Sequence, residues 1–292
     1  MIEIDSPVRG DTKLLCLLGY PVAHSLSPQI HNHGCKYLGL NYVYIPISVP
    51  SNALHTAVYA IRSFGIVGAN VTIPYKKEII HYCDFLSELS QKTGTVNTLH
   101  NSGGKLYGTT TDFEGFRRAV YNMDCTFEGG NIVIIGNGGT ARTIATALAI
   151  ERQVATLTIA GRNISKVELL ANEIRNSTGF SIKAISLSDP LLGDILSECT
   201  LLVNTTNVGM HPNVNETPLP ASLFHKKLKV FDVIYNPGKT RFLSEAENAG
   251  CQIQNGLGML LYQGLASFKI WTGIEVPENI YSMENLQKFV HA

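Results

Sequence analysis

The stretch "NIVIIGNGGTARTIATALA", Asn131 to Ala149, decides the fold. After Asn131 come four apolar, β-branched residues, the pattern of a strand buried on both faces. Gly136, Gly138 and Gly139 follow at once, and an alanine-rich helix follows them. Glycines at such a turn let a phosphate approach the backbone and meet the positive end of the helix. The order departs from Gly-x-Gly-x-x-Gly, because Ala141 stands in the third glycine's place, although a side chain that small still permits close helix packing. Two readings therefore stand side by side at this turn: a dinucleotide loop, and a plain strand-to-helix turn that needs glycine for its own geometry.

The end of the next strand separates them further. NAD-binding turns of this kind carry Asp or Glu there for the ribose hydroxyls, whereas "IAGRN" (159–163) has no acid and presents Arg162. A guanidinium suits a 2′-phosphate, so NADP is the expected cofactor; an arginine that merely solvates a strand end is the alternative. Arg142 and Lys166 read as exposed cations on helix surfaces.

Outward from this loop, strands and helices alternate to both ends of the chain. Downstream, strands are predicted at 155–161, 180–186, 200–206, 228–235 and 251–254, followed by a long apolar helix over 255–273. Upstream, a helix over 113–124 is preceded by strands at 14–20, 42–48 and 68–74, and by two extended segments within 95–112 joined by Gly103-Gly104. Ser27 with Pro28 reads as a capped helix start that stops at Gly39, Ser51 as the cap of a helix ending near Gly65, and the residues after Pro74 as helical to about Leu89. The alternation predicts an α/β protein with mostly parallel sheets. Two domains are expected, 1–112 and 113–255, with 256–292 returning to the first because the helix after Asn255 is too apolar for a surface appendage.

A chain of 292 residues can bury two cores, and 23 Lys and Arg balance 23 Asp and Glu, so no net field draws it to nucleic acid or an anionic membrane. No apolar run approaches the roughly 20 residues that span a bilayer. The start "MIEIDSPVRGD", acidic and broken by proline, does not read as a leader, and a soluble, cytoplasmic protein is expected. Six scattered cysteines without a Cys-x-x-Cys spacing read as reduced thiols. In "HNHGC" (31–35), His31 and Cys35 would share a helix face, but no carboxylate or second thiol stands at ligand spacing, so no metal is expected. Monomer and homodimer both fit the sequence.

Several further motifs carry a resemblance. "GYPVAHSLSPQIHN" (19–32), "GANVTIPYK" (68–76), "TVNTL" (95–99), "TTTDFEGF" (109–116), "NTTNVGM" (204–210), "VFDVIYNPGKT" (230–240) and "GLGMLLYQG" (256–264) stand in the order and spacing of the shikimate dehydrogenases, and the chain resembles that family along nearly all its length. The resemblance implies a reversible NADP-linked oxidation of shikimate to 3-dehydroshikimate, in the pathway to chorismate and the aromatic amino acids. It implies an N-terminal mixed-sheet α/β substrate domain completed by the C-terminal helices, a Rossmann-type NADP domain, and a cleft between them. Carried over by motif, Ser25 and Ser27 would bind the substrate carboxylate, with Tyr235 reaching it from the NADP side. Thr72, Asn97, Asp112 and Gln263 would bind ring hydroxyls, and Lys76 and Asp112 would form the catalytic pair. For the cofactor, the resemblance implies Gly136, Asn137, Gly138, Gly139, Thr140, Ala141 and Arg162, joined by Thr205, Asn207, Gly256 and Met259.

The chemistry is consistent with these groups. Hydride transfer from an alcohol carbon to nicotinamide requires the hydroxyl proton to leave as the carbonyl forms. The neutral amine of Lys76 can accept that proton, and its ammonium can return it in reduction. Asp112 would favour the charged lysine and orient the same hydroxyl. Ser27 also reads as an ordinary helix cap, Lys77 as a solvated neighbour, and His24 and His31 as hydrogen-bonded structural residues.

The sequence departs from the family at four places. Thr110 stands where Asn is usual before Thr-Asp. Asn207 replaces a common proline, which would loosen that loop, and Asn255 replaces a frequent aspartate. Gly161 and Asn163 flank Arg162 where Asn and Thr are usual. Three rival readings stay open: a quinate/shikimate dehydrogenase that also uses NAD, a folate-linked dehydrogenase of related layout that the serine motif disfavours, and a non-catalytic NADP-binding redox sensor.

Overall fold

The computed structural model describes residues 8–290, so most of the acidic start, residues 1–7, and the last two residues lie outside the described part. Two units are distinguished. One holds the chain up to Thr111 together with Gln263–Ile280, and the other holds Asp112–Tyr262 together with the chain from Tyr281.

In the first unit the elements run β1 (Lys13–Gly19), α1 (Ser27–Tyr37), β2 (Tyr42–Ser48), α2 (Leu54–Ser63), β3 (Gly68–Val71), β4 (Phe85–Leu86), α3 (Glu88–Thr93), β5 (Thr98–Ser102) and β6 (Lys105–Thr109). The sheet order is β2-β1-β3-β5-β6-β4. β1 is parallel to β2 and β3, whereas β5 runs antiparallel to β3 and β6, which makes the sheet mixed. β1 is apolar from Leu14 to Leu18 because alternate side chains enter two cores. Cys16 and Leu18 pack with Val58, Ile61 and Ala69, while Leu15 and Leu17 pack with Tyr44 and Trp271. Trp271 donates its indole N–H to the Leu99 carbonyl at 2.8 Å and lies over Gly68, where a Cβ would meet the ring nitrogen at 2.1 Å. Gly103 and Gly104, both at positive φ, close the hairpin between β5 and β6 as their sequence implies.

Three local expectations are corrected in this unit. Ser27 does not cap α1: the N-cap is Leu26, and it is the Ser25 hydroxyl that accepts from the Ser27 N–H, at 3.2 Å. Ser51 caps nothing, since residues 50–53 form a turn and α2 starts at Leu54. The stretch to Leu89 is not one helix. It runs through a short 3-10 helix, Glu78–Tyr82, then β4, then α3, whose cap is Ser87 accepting from the Ser90 N–H. Asp84 breaks it, because its carboxylate binds the Leu106 N–H at 2.8 Å and the Arg62 guanidinium at 2.6 Å, holding the chain extended beside β6.

The second unit runs α4 (Asp112–Tyr121), β7 (Asn131–Ile135), α5 (Gly139–Glu151), β8 (Thr156–Gly161), α6 (Ile164–Thr178), β9 (Lys183–Ser186), α7 (Leu192–Ser197), β10 (Leu201–Asn204), β11 (Lys229–Asp232), α8 (Arg241–Asn248), β12 (Gln252–Gln254), the residues of α9 (Leu257–Thr272) up to Tyr262, and α10 (Met283–Val290). All its strands are parallel, in the order β12-β11-β10-β7-β8-β9. This is the doubly wound arrangement of a Rossmann-type domain, and its order reverses between β7 and β10, where such sheets open a crevice.

Of residues 256–292, for which a return to the first unit is expected, Gln263–Ile280 group with the first unit, while 256–262 and the residues from Tyr281 group with the second. For 256–262 the contact is Gly256 against Val233, and for the residues from Tyr281 it is α10. Its Gln287 seats against Gly238, where a Cβ would lie 2.0 Å from the amide nitrogen, and accepts from the Asn255 amide at 3.4 Å, while Leu286 is buried. Among the described residues no helix is long and apolar enough to cross a membrane, and no group of three or more His, Cys, Asp or Glu could hold a metal ion.

Candidate functional site

In the second unit, the loops after β7 and β10 close on each other at the switch point. Gly136 has φ +117°, and a Cβ there would stand 2.5 Å from the Thr205 hydroxyl oxygen and 3.1 Å from the Thr206 methyl. Thr205 bonds back to the Ile135 carbonyl through its hydroxyl at 2.6 Å and its N–H at 2.9 Å. Only glycine fits that seam. Gly138 is the N-cap of α5 and Gly139 its first residue, and nothing lies within 4 Å of a Cβ on either. No acidic residue stands in the first turn of α5 and no side chain caps its N-terminus, while buried Ala141 packs the helix behind that turn.

A cavity of about 930 Å³ opens in front of this turn, and its wall includes Gly136, Asn137, Gly138, Arg162, Lys166, Thr205 and Asn207. Thr140 stands half-buried in the first turn of α5, whereas Gly256 and Met259 are buried at the start of α9 and do not line the cavity. Arg162 and Lys166 supply exposed cations, and Glu216 is the carboxylate in the wall. Lys166, expected as a surface cation, is exposed and also lines the cavity. Arg142, by contrast, is ion-paired with Glu173.

Three departures from the family pattern find local reasons here. Gly161 is required because a Cβ would lie 2.6 Å from a Val167 methyl, and Asn163 caps α6 by accepting from the Lys166 N–H at 3.1 Å. The loop at Asn207, where loosening is expected, carries its own hydrogen bonds. Thr206 binds the Asn204 amide oxygen through its N–H and hydroxyl, at 3.1 and 2.8 Å, and the Met210 N–H closes onto the Asn207 carbonyl at 3.1 Å. Asn255 caps α9 through the Leu257 N–H at 3.1 Å and binds the Gly238 carbonyl at 2.8 Å. Gly256 is pressed on Val233, whose carbonyl oxygen would lie 2.0 Å from a Cβ. Tyr235 is half-buried, and burial pushes its phenol pKa up. Asp112, nearly buried, is the first residue of α4, where the helix end favours an anion.

In the first unit, Thr72 follows β3, its N–H held by the Leu18 carbonyl at 2.9 Å. A Cβ on Gly19 would lie 2.4 Å from the Thr72 methyl, so the glycine that opens the serine motif makes room for this threonine. Lys76 stands on the turn beyond, and its carbonyl accepts from the Val96 N–H at 2.8 Å, which ties the lysine backbone to the residue before Asn97. Ser25 is half-buried and Ser27 buried at the start of α1.

Asn97 is 2% exposed and held in one orientation. Its amide oxygen accepts from the Thr111 N–H and the Thr98 hydroxyl, both at 2.8 Å. Its NH₂ therefore faces the other way, donating to the Thr111 hydroxyl at 3.0 Å and to the Gln263 amide oxygen at 3.1 Å. Below this pair, Ser267 lies 2.8 Å from the Thr98 hydroxyl, donates to the Gln263 carbonyl at 3.0 Å and accepts from Asn70 at 3.0 Å, while the Tyr44 hydroxyl donates to Asn70 at 2.9 Å. Asn70, Thr98, Thr111 and Ser267 were not singled out from sequence. Their signal is small polar residues at buried positions, Asn70 and Thr98 on strands, Thr111 just after β6 and Ser267 on the last long helix, where burial demands partners.

The Thr110 hydroxyl is buried without a hydrogen-bond partner. His31 is not the hydrogen-bonded residue expected. It stacks on Tyr44 with ring centroids 4.3 Å apart, and neither ring nitrogen has a hydrogen-bond partner, so burial lowers its pKa to about 3.

Three family models match the chain in order. Residues 17–99 match the shikimate dehydrogenase substrate binding domain, 119–232 the shikimate/quinate 5-dehydrogenase family, and 256–280 the shikimate 5′-dehydrogenase C-terminal domain. A shikimate dehydrogenase (NADP(+)) from Methanopyrus kandleri is 42% identical over 282 residues, 96% of this chain and 97% of that protein. The chain belongs to the shikimate dehydrogenase family. A crystal structure of a shikimate dehydrogenase in complex with NADP+ superposes with a TM-score of 0.87 at 36% identity, covering 97% of this chain and 96% of that one. The shikimate 5-dehydrogenase of Listeria monocytogenes, solved in complex with shikimate and NAD, does so at 0.89 and 34% identity, covering 99% of this chain and all (100%) of that one. Shikimate dehydrogenases thus share both units of this fold, the mixed sheet and the Rossmann-type sheet.

Proposed function

We propose that this chain catalyses the reversible NADP-linked interconversion of shikimate and 3-dehydroshikimate, serving the synthesis of chorismate and the aromatic amino acids from a cytoplasmic location. The observation that carries the reading is the match to NADP-dependent shikimate dehydrogenases over nearly the whole length of both chains. The residues present fit the cofactor. A seam only glycine can occupy, an open helix N-terminus, and Arg162 with Lys166 in place of an acid suit a pyrophosphate and a 2′-phosphate.

When bound, NADP supplies the hydride acceptor or donor, and the chain's own groups do the rest. Gly136, Asn137, Gly138, Gly139, Thr140 and Ala141 form the turn that receives the phosphates, with Arg162 and Lys166 on the 2′-phosphate. Thr205 and Asn207 would hold the cofactor from the facing loop; Gly256 and Met259, buried behind the cavity wall, would act only by packing the start of α9. Ser25 and Ser27 bind the substrate carboxylate by directed hydrogen bonds without a permanent charge, joined by Tyr235. Thr72, Asn97 and Gln263 take the ring hydroxyls. In oxidation the Lys76 amine accepts the hydroxyl proton as the carbon–hydrogen bond yields its hydride, and in reduction the ammonium donates it to the forming alkoxide, with Asp112 orienting that hydroxyl.

The test is NADP and NAD reduction by the purified protein with shikimate and with quinate. Shikimate with NADP is expected to be the best pair. Preference for quinate with NAD would move the chain to the quinate branch of the family, and NADP binding without turnover on either polyol would make it a sensor.

A further inference from the structure

Asp232 ends β11 with its carboxylate wholly buried, and it does not line the cavity. Its partners are neutral. One oxygen accepts from the Asn204 NH₂ at 3.0 Å and the Ile234 N–H at 3.1 Å, and the other accepts from the Thr240 hydroxyl at 2.7 Å. Burial without a cation is costly for a carboxylate, and here it pushes the pKa up to about 6. A group retained at such a cost invites a role.

The contacts supply one. Because the Asn204 NH₂ is engaged below by Asp232, its amide oxygen must face upward, where it accepts from the Thr206 N–H at 3.1 Å and hydroxyl at 2.8 Å. The Thr206 hydroxyl oxygen in turn accepts from the Val208 N–H at 3.2 Å. A flipped Asn204 would set its NH₂ against the Thr206 N–H, two donors face to face. Thr205 to Val208 line the cavity in front of Gly136.

We propose that Asp232 is a positioning residue for the dinucleotide. It touches no cofactor itself, and through the orientation of Asn204 it fixes the loop that bounds the cofactor cavity opposite the glycine turn. The proposal rests on the reading of that cavity as the NADP site.

The mechanism is hydrogen-bond geometry and not charge, which makes a sharp test possible. Asp232→Ala removes the partner that orients Asn204. Asp232→Asn keeps an amide oxygen for Asn204 and Ile234, while its NH₂ can donate to a turned Thr240 hydroxyl. Measured by direct titration of NADP and by steady-state kinetics, Asp232→Ala is expected to weaken NADP binding about tenfold and leave the KM for shikimate within twofold. Asp232→Asn should stay within about threefold of the unmodified protein for both ligands. NADP affinity unchanged in Asp232→Ala overturns the proposal, as does an Asp232→Asn protein impaired as severely as the alanine variant. An equal rise in both constants overturns it too, since that marks general loosening. Should Asp232→Ala not fold, Thr206→Val against Thr206→Ser decides the same point: loss of NADP affinity in the valine variant alone supports the relay, and equal affinity in both sinks it. Absence of NADP binding by the unmodified protein would refute the cavity's assignment itself, a separate outcome.

Discussion

The floor under Asn97 in the first unit and the glycine turn in the second are built on opposite plans. Under Asn97, every position carries a polar side chain, and each hydroxyl or amide is held by the next, from Thr111 through Thr98 and Ser267 to Asn70 and Tyr44. At the glycine turn the work is done by missing side chains: no Cβ at Gly136, and open space in front of Gly138 and Gly139. A ring of hydroxyls is read by fixed donors and acceptors, which need rigid side chains. A phosphate is read by backbone N–H groups, which need close approach. The same contrast predicts where each half breaks: the first by removing a side chain, the second by adding one.

The largest effect is expected at the second. Gly136→Val places a side chain against Thr205 at a φ of +117° that valine avoids. Overpacking and backbone strain each cost roughly 1–3 kcal/mol, so NADP affinity should fall by roughly two powers of ten. Binding that survives within threefold would show that the loops part freely. Next comes Arg162→Ala, which removes a charge-assisted contact and should raise the KM for NADP about tenfold while leaving NAD untouched. An unchanged preference between the two cofactors would refute the 2′-phosphate role.

In the first unit, Ser267→Ala deletes a shared hydroxyl and leaves Asn70 and Thr98 short of a partner. That should cost about 1–3 kcal/mol in thermal or denaturant unfolding and raise the KM for shikimate several-fold, with the KM for NADP constant. If both constants rise together, the network is scaffold only.

The smallest and most telling difference is in acid. His31 in the first unit has its pKa lowered by burial from 6.5 to about 3, so the folded state holds it neutral and the unfolded state takes up the proton. Its contribution is intact above pH 6.5 and is lost as pH falls toward 3, by up to about 1.4 kcal/mol per pH unit. Asp232 in the second unit has its pKa raised from 3.8 to about 6, so its buried charge opposes folding above pH 6, and that opposition is relieved as pH falls toward 3.8. Denaturation curves at pH 7 and 5 should therefore show His31→Phe losing less stability on acidification than the unmodified chain, and Asp232→Asn losing more. Variants that change in the same direction would contradict the assignment of opposite signs.

Much of this was legible in the sequence, for identifiable reasons. Ile132–Ile135 of β7 and Leu201–Val203 of β10 are buried on both faces and so appear as apolar runs, and the turn after β7 must open on a glycine because Thr205 fills the space a Cβ on Gly136 needs. Lys76, Thr72 and Asn97 stood out only through motif spacing. What escaped depends on partners distant in the chain. β4 has two residues and exists because Asp84 binds Leu106 and Arg62, and α10 belongs to the second unit because Gln287 meets Gly238. Asn70 looks like a flaw in β3 until Ser267 arrives from α9. His31 was misread because a histidine in a polar motif suggests hydrogen bonds, whereas its ring serves as a flat apolar surface against Tyr44.

The most direct measurement is the turnover of Lys76→Ala with shikimate and NADP beside the unmodified protein, with both substrates saturating. If Lys76 carries the proton, kcat falls by about two or more powers of ten while both KM values change little. A variant that turns over shikimate at near-normal rate would contradict that assignment and with it the proposed chemistry of this site.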